Sequence, residues 1–235
     1  MPTIYTANDG VYYNFHSAGS YLAARDAAVA SAGHNNAVGW YYHYLSAYIN
    51  MRTFHAFDTS GISFAPSSAT ISFYGNAFGG AFSSRLVKST APVDLVTGMT
   101  TASYNDIVGF SAGSSMAGNV TDYSDTVTNW VNYTWMVYTL NATALADIAS
   151  QNVFSVCNAN YEWDYLNVAC TVPQMPHGNF AGAPAAHGLD PRPKLDYVEG
   201  AAGYSHDVLG VDSGDIGKIV GVATADTSKV CGRAA

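Results

Sequence analysis

The sequence predicts an all-β fold: a jelly-roll-type β-sandwich with two short helices and a β-prone C-terminal extension. Three observations carry this. Charged residues make up only 11% of the 235 residues, against about 25% in an average soluble domain, so the polar surface has to be built from uncharged groups. The chain supplies them as 22 Ser, 18 Thr, 16 Asn and 17 Tyr, a mix that suits strands with hydroxyl-rich outer faces and disfavours long helices, which draw on Glu, Lys, Arg and Leu. Short β-branched and aromatic runs recur between turn residues along the whole chain. With 49% hydrophobic and 13% aromatic residues there is material for a substantial core, and disorder is excluded.

Taken in order, a short strand is expected around Tyr5, a turn at Asn8-Asp9-Gly10, and a strand over Val11–Phe15. Tyr21–Ala30 is Ala-rich and reads as a short helix closed by Gly33. From Trp40 to Phe57 the density of Tyr, His and Phe suits strands buried on one or both faces. Phe57–Ile62 is a turn, and Ala69–Tyr74 is a strand broken by Gly75, Gly79 and Gly80. Ile107, Val108 and Phe110 make a short strand, followed by a Gly/Ser loop to Gly118. Asn129–Leu140 is strongly β-forming, and Asn141 caps a helix of about two turns. Val153–Cys157 and Leu166–Val172 read as strands. Pro173–Pro193 holds five of the eight prolines and reads as a long surface loop, and Lys194–Val198 is the last strand. The organisation is thus a sandwich over 1–199, a Gly-rich connector over 200–210 and an extension over 211–235.

The charge is unevenly placed. Between Lys88 and Arg192 there is no Lys or Arg, while eight acids lie there: Asp94, Asp106, Asp122, Asp125, Asp147, Glu162, Asp164 and Asp190. They equal the whole net charge of −8. Nucleic acid as a partner requires clustered cations and is excluded, as is an anionic membrane surface. No apolar run reaches the roughly 18 to 20 residues of a spanning helix, so no membrane insertion is expected. The N-terminal residues lack the basic and apolar regions of a secretory signal; either none exists or one has been removed, and the retained Met1 favours the first. A surface-type composition without an export signal is expected of a virion protein, which leaves its host by lysis; an extracellular or cell-surface protein is the alternative.

Cys157 and Cys170 lie 13 residues apart and Cys231 is left over. No Cys or His spacing matches a zinc site, no HExxH pattern is present and no loop matches an EF-hand, so neither metal nor cofactor is expected. Free thiols are expected, with a Cys157–Cys170 bridge as the alternative.

Several blocks, in order, resemble one family: Tyr21-Leu-Ala-Ala-Arg25, Met51-Arg-Thr-Phe-His-Ala-Phe-Asp-Thr-Ser-Gly-Ile62, Ala69-Thr-Ile-Ser-Phe-Tyr74, Tyr138-Thr-Leu-Asn-Ala-Thr-Ala-Leu-Ala-Asp-Ile148 and Arg192-Pro-Lys-Leu195. They resemble the DNRLRE-like β-sandwich domains of phage structural proteins and bacterial surface proteins, whose relatives include carbohydrate-binding modules. The resemblance covers roughly residues 1–199 and implies the fold far more than a function. Ile216-Gly-Lys-Ile-Val-Gly-Val-Ala223 is similar to a short repeat common in predicted phage structural proteins. The residues of the most specific block have their own physical reading. Phe54 and Phe57 anchor a strand in the core, Asp58, Thr59 and Ser60 offer oxygens to the turn, and Arg52 pairs with a carboxylate.

Three constellations could carry chemistry or contacts. Gly109-Phe-Ser-Ala-Gly113 matches the G-x-S-x-G nucleophile elbow, with Asp147 and His177 as candidate partners of Ser111, but Ser114–Gly118 is a loop sequence where the elbow needs a helix. Carboxylate pairs occur at Glu162/Asp164 and Asp122/Asp125. The first is flanked by aromatic residues, so Tyr161, Glu162, Trp163, Asp164 and Tyr165 could line a sugar platform, with a solvated strand end as the bland alternative. In the tail, Lys218-Ile-Val-Gly-Val-Ala223 recurs as Lys229-Val-Cys-Gly-Arg-Ala234. Its residues Lys218, Ile219, Val220, Val222, Lys229, Val230 and Arg233 are too apolar and β-prone for a solvated linker, and they include three of the nine cations. Such a segment is expected to add to a neighbouring subunit. The expected function is a non-enzymatic structural subunit of a phage tail, fibre or capsid surface, assembling into a homo-oligomer with other virion or surface proteins. The alternatives are a carbohydrate-binding module attaching to glycans and a serine hydrolase at Ser111.

Overall fold

The computed structural model describes residues 1–16, 21–30, 32–34, 37–43, 47–79, 83–96, 99–125, 128–129, 131, 134–169, 175–180, 192–200, 218–219 and 222–223. The strands are β1 (Thr3–Tyr5), β2 (Asn8–His16), β3 (Ala32–His34), β4 (Ala37–His43), β5 (Ala47–Asp58), β6 (Ser68–Gly79), β7 (Ser83–Lys88), β8 (Thr128–Asn129), β9 (Trp135–Thr139), β10 (Val153–Asn160), β11 (Met175–Phe180), β12 (Lys194–Val198), β13 (Lys218–Ile219) and β14 (Val222–Ala223). The α-helices among the described residues are α1 (Tyr21–Arg25) and α2 (Ala142–Ser150). The all-β class is as the composition predicts.

Twelve strands form one antiparallel sheet in the order β1-β12-β6-β11-β4-β5-β10-β7-β8, with β2 on β5, β3 on β2 and β9 on β6. The sheet folds into two leaves because β6 belongs to both. Its residues Ser68–Tyr74 pair with β12 and β9, and Gly75–Gly79 pair with β11. Gly75 therefore does not end the strand; it is the corner where the strand passes between leaves. A Cβ there would fall 2.6 Å from the Val131 carbonyl oxygen.

The main core lies between the leaves, and the period of two along each strand builds it. Ala69, Ile71 and Phe73 of β6, Met136 and Tyr138 of β9 and Leu195 of β12 meet Phe57 of β5, Phe154 and Val156 of β10 and Leu86 of β7. The alternate residues of the second leaf point the other way. Phe54, Val87, Cys157 and Ala159 pack under a layer of irregular structure holding Tyr104, Ile107, Met116 and Tyr165. Strands β5, β7 and β10 of the second leaf are thus covered on both faces, which explains the dense apolar run in β5.

Several expectations are corrected. Asn8–Gly10 is strand, paired with Phe54–Ala56, because the chain crosses from the first leaf to the second at Thr6-Ala7 and joins β5 at once. The expected helix to Ala30 stops at Arg25, since side chains of the 3-10 turn Thr101–Asn105 take the carbonyls around its end: Tyr104 donates to Ala24 O (3.2 Å) and Asn105 to Ala27 O (2.7 Å). At five residues, helix propensity alone would not hold it. Ile107 makes a single bridge to Ser89 and no strand forms to Phe110. Asn129–Leu140 is not one strand but two short ones, β8 and β9. Leu166–Ala169 is not strand; its backbone curls back through Leu166 N to Tyr161 O (2.9 Å) and Val168 N to Glu162 O (3.2 Å), and 170–172 lie outside the described residues. The proline-rich segment is not all loop, since β11 pairs with β4 and, through register shifts, with β6.

The cap is as expected: Asn141 Oδ1 accepts from Ala144 N (3.1 Å) at the start of α2. In the tail, β13 and β14 pair antiparallel, Lys218 with Ala223 and Ile219 with Val222. The hairpin closes within the first copy of the repeat; Val220, Lys229, Val230 and Arg233 lie outside the described residues, as does the connector 201–210.

Candidate functional site

The densest polar constellation among the described side chains lies on the outer face of the second leaf, beneath the irregular layer. Strand β5 turns Phe57 and His55 inward and Phe54 and Arg52 outward. Arg52 thus enters the second core with no exposed surface. There it meets Asp164, from a π-helical turn over Tyr161–Tyr165 in which Asn160 caps one free N–H (Trp163 N to Asn160 Oδ1, 2.9 Å).

All five N–H donors of Arg52 are used. Nε donates to Asp164 Oδ2 at 2.7 Å and Nη2 to Asp164 Oδ1 at 2.8 Å. The second Nη2 hydrogen goes to Arg25 O (3.2 Å), and Nη1 serves Tyr104 O (3.0 Å) and Asn105 Oδ1 (2.5 Å). The guanidinium is also sandwiched between rings, 4.4 Å from both the Tyr104 and Phe110 centroids. Burial works against the charged form of Arg52, but Asp164 outweighs it and holds the proton more tightly than usual.

Arg25 closes the other side. Its Nε and Nη2 donate to Asp164 O (3.0 and 2.9 Å), Nη2 also to Ser114 O (2.9 Å), and Nη1 pairs with Asp26 Oδ1 (2.5 Å). Asp26 Oδ2 accepts in turn from Gly113 N (2.8 Å). One buried carboxylate and two guanidiniums therefore tie α1, the 3-10 turn, the Gly109–Gly118 turns and the π-helical turn to β5. With every Arg52 donor committed, this centre fastens the structure and offers nothing to an anionic ligand.

The expected sugar platform is not formed as drawn. Trp163, Asp164 and Tyr165 are buried, 6%, 0% and 3% exposed. Trp163 packs with Tyr21 and Ala24, and the single Tyr21 O–H is shared between the Trp163 carbonyl and Asn167 Oδ1 (2.8 Å). Tyr161 is partly buried and stacks on Tyr165, so Glu162 is the exposed member of the five. The segment is neither a platform nor a solvated strand end but a plug.

The other carboxylate pair is divided too. Asp122 accepts from Arg85 Nη2 (3.0 Å) and the Tyr165 hydroxyl (2.9 Å), while Asp125 is exposed beside Asn141 Nδ2 (3.3 Å). Burial, and then the hydrogen bond to Asp122, push the Tyr165 phenol up to about 12. Among the described residues, Asp122 Oδ1 and Arg85 Nε are buried without a hydrogen-bond partner.

Ser111 is exposed in a turn closed by Ser114 N to Ser111 O (3.1 Å), with Gly109 and Gly113 at φ +86° and +79°. Turns rather than a helix follow it, so the strand–turn–helix context of a nucleophile elbow is not built. Asp147 is committed to Lys88 Nζ (2.8 Å) and the Tyr123 hydroxyl (2.6 Å), and the His177 side chain lies outside the described residues. Among the described residues no cluster of three His, Cys, Asp or Glu could hold a metal, and no helix is long and apolar enough to cross a membrane.

That Arg52 pairs with a carboxylate is legible in the sequence; that its partner is Asp164, and that Arg25 shares it, is not. The available signal was composition. In a chain with nine cations, an Arg inside an apolar strand, an Arg in an Ala-rich helix and an Asp between Trp163 and Tyr165 are three charges that only mutual pairing would bury. No family model matches this chain, and no curated protein matches it.

Proposed function

We propose that the chain is a non-enzymatic structural subunit of an assembled particle or fibre, a tail, fibre or capsid-surface component of a phage virion or an extracellular fibre, joined to its neighbours through the C-terminal extension. The observation that carries this reading is where the charged groups go. Arg25 and Arg52 close on Asp164, Arg85 on Asp122 and Lys88 on Asp147, each across separate segments of the fold. Charges spent in this way brace loops against a sheet rather than line a reaction site. The resemblance to phage structural domains points the same way, and the β13–β14 hairpin supports a tail able to form strand pairs.

The test compares the full chain with a chain lacking residues 211–235 by native mass spectrometry and electron microscopy. The full chain should form a defined multimer, and the shortened chain should stay folded as a monomer. Equal assembly by both would remove the extension as the connector, and a monomeric full chain would remove the reading itself.

A further inference from the structure

We infer that the pocket at the end of β12 binds one neutral saccharide ring. The inference goes beyond the reading as a structural subunit, because it names what such a subunit attaches to. Each copy carries the pocket whole, so binding does not depend on assembly.

The pocket encloses about 200 Å³ between the loop at 61–64 and Tyr197, Glu199 and Gly200, where the chain leaves the first leaf. Backbone holds its walls. Thr59 ties the start of the loop to the segment between α2 and β10: Thr59 N donates to Asn152 O (3.0 Å) and Thr59 Oγ1 to Gln151 O (2.6 Å). Ser67 N donates to Val198 O (3.0 Å) and ties the end of the loop to β12. Gly200 runs so close to this loop that a Cβ would fall 1.9 Å from Ala65 O. Ile62 and Tyr197 are half-buried against the main core, whereas Phe64 is 50% exposed. The pocket is therefore formed before any ligand arrives, and binding has little ordering left to do.

The polar groups of the pocket set the ligand class. At the Arg52 centre every donor is committed, but here the Ser63 and Tyr197 hydroxyls and the Glu199 carboxylate bond to no other described residue. Two hydroxyls that donate as well as accept, beside a carboxylate that only accepts, are matched by ring hydroxyls, which do both. An ammonium or guanidinium would use the accepting halves alone. No Lys or Arg lines the pocket, so Glu199 turns away an anionic ligand and favours a neutral one. Ile62, Phe64 and the Tyr197 ring supply apolar surface for the C–H face of a pyranose. The volume is below the roughly 300–1,000 Å³ of pockets for drug-sized ligands, which gives room for one ring rather than for a long oligosaccharide. A single ring of about a dozen heavy atoms binds with a dissociation constant on the order of millimolar. Many copies on one particle raise the avidity by about 10²–10⁴ without any new contact.

The experiment is saturation-transfer NMR on the full chain with a panel of neutral methyl glycosides of glucose, galactose, mannose, N-acetylglucosamine and fucose, followed by titration of those that respond. At least one should receive saturation, and Tyr197→Phe, Glu199→Gln and Phe64→Ala should each weaken its binding about three- to tenfold. Trp135→Ala, at the other end of β6 from the pocket, should leave binding unchanged. Thermal melting confirms that each variant folds. No response from any glycoside would overturn the inference, as would binding that the three pocket variants leave undiminished. Lysine or arginine amide bound in preference, and lost in Glu199→Gln, would make this a cation pocket and also overturn it. Assembly is read separately: a multimer that binds no glycoside keeps the proposed function and loses the inference, and a monomer that binds one through these residues does the reverse.

Discussion

Arg52 grips both carboxylate oxygens of Asp164, at 2.7 and 2.8 Å, with no part of either side chain exposed. The two residues are 112 positions apart, so the pair closes a long excursion of chain against the sheet. Removing one partner leaves the other charge buried and unmatched, which costs about 3–5 kcal/mol. Arg52→Met and Asp164→Asn should each lower stability by about that amount in urea unfolding. Arg52→Lys should rescue little, because an ammonium cannot make the paired contact or fill the space between Tyr104 and Phe110. The double variant Arg52→Met with Asp164→Leu should lose less than the two single losses added together.

His55 should make stability fall as the solution is acidified. It lies on the inner face of β5, 1% exposed, with the Phe73 ring 4.9 Å away. Burial lowers its pKa from 6.5 to about 3. The unfolded chain therefore takes up a proton that the folded chain refuses. The contribution is fully present above pH 6.5 and is lost as pH falls toward 3, amounting to several kcal/mol, since each pKa unit is worth about 1.4 kcal/mol. His55→Phe should flatten the pH dependence of urea midpoints between pH 6.5 and 4. An unchanged slope would show that carboxylates alone set it.

How much of this was legible depends on whether the deciding interaction is local. The all-β class, the Asn141 cap and the turn at Asp58–Ser60 follow from residues a few positions apart, and in the turn Ser60 N and Oγ both bond Asp58 Oδ1. The errors sit where distant partners override local chemistry. Gly75 reads as a strand breaker, yet it is required by the approach of Val131, 56 residues on. Asn8-Asp9-Gly10 reads as a turn, yet pairing with β5 extends it. Trp163 and Tyr165 read as a sugar platform because their outward or inward facing is fixed only by Arg52 and Arg25, which pull Asp164 under the irregular layer and take the rings with it.

The glycines flanking Ser111 should respond unequally to the same substitution. Both have positive φ, but a Cβ at Gly109 would fall 2.2 Å from Asn119 O, whereas one at Gly113 would meet nothing within 4 Å. Gly113→Ala should cost only the left-handed conformation, about 1–2 kcal/mol. Gly109→Ala should cost clearly more, because backbone must move. Ser111→Ala should leave the melting temperature unchanged, and a fluorophosphonate probe should not label Ser111 in the folded protein.

Cys157 should be a silent thiol until the sheet opens. It sits mid-strand in β10 between Phe54 and Val87, is fully buried and is free. Burial, and to a lesser degree Asp164, push its pKa above the ordinary thiol range against the opposing pull of Arg52. The thiolate is the reactive form, so both access and ionisation are withheld. In a background with Cys170→Ser and Cys231→Ser, a chromogenic disulfide reagent should react with native protein only at the rate of local or global opening. Urea above the unfolding midpoint should raise that rate to that of an exposed thiol. Because this cysteine forms no bridge, adding reductant should leave the melting temperature of the same variant where it was. Cys157→Ser should be destabilising by about 1–3 kcal/mol, since it puts a hydroxyl where the neighbouring side chains are apolar, while Cys157→Ala should lose only the packing of one sulfur. Rapid labelling of the native variant would place the thiol at an opening in the second core and contradict the burial on which the irregular layer's attachment depends.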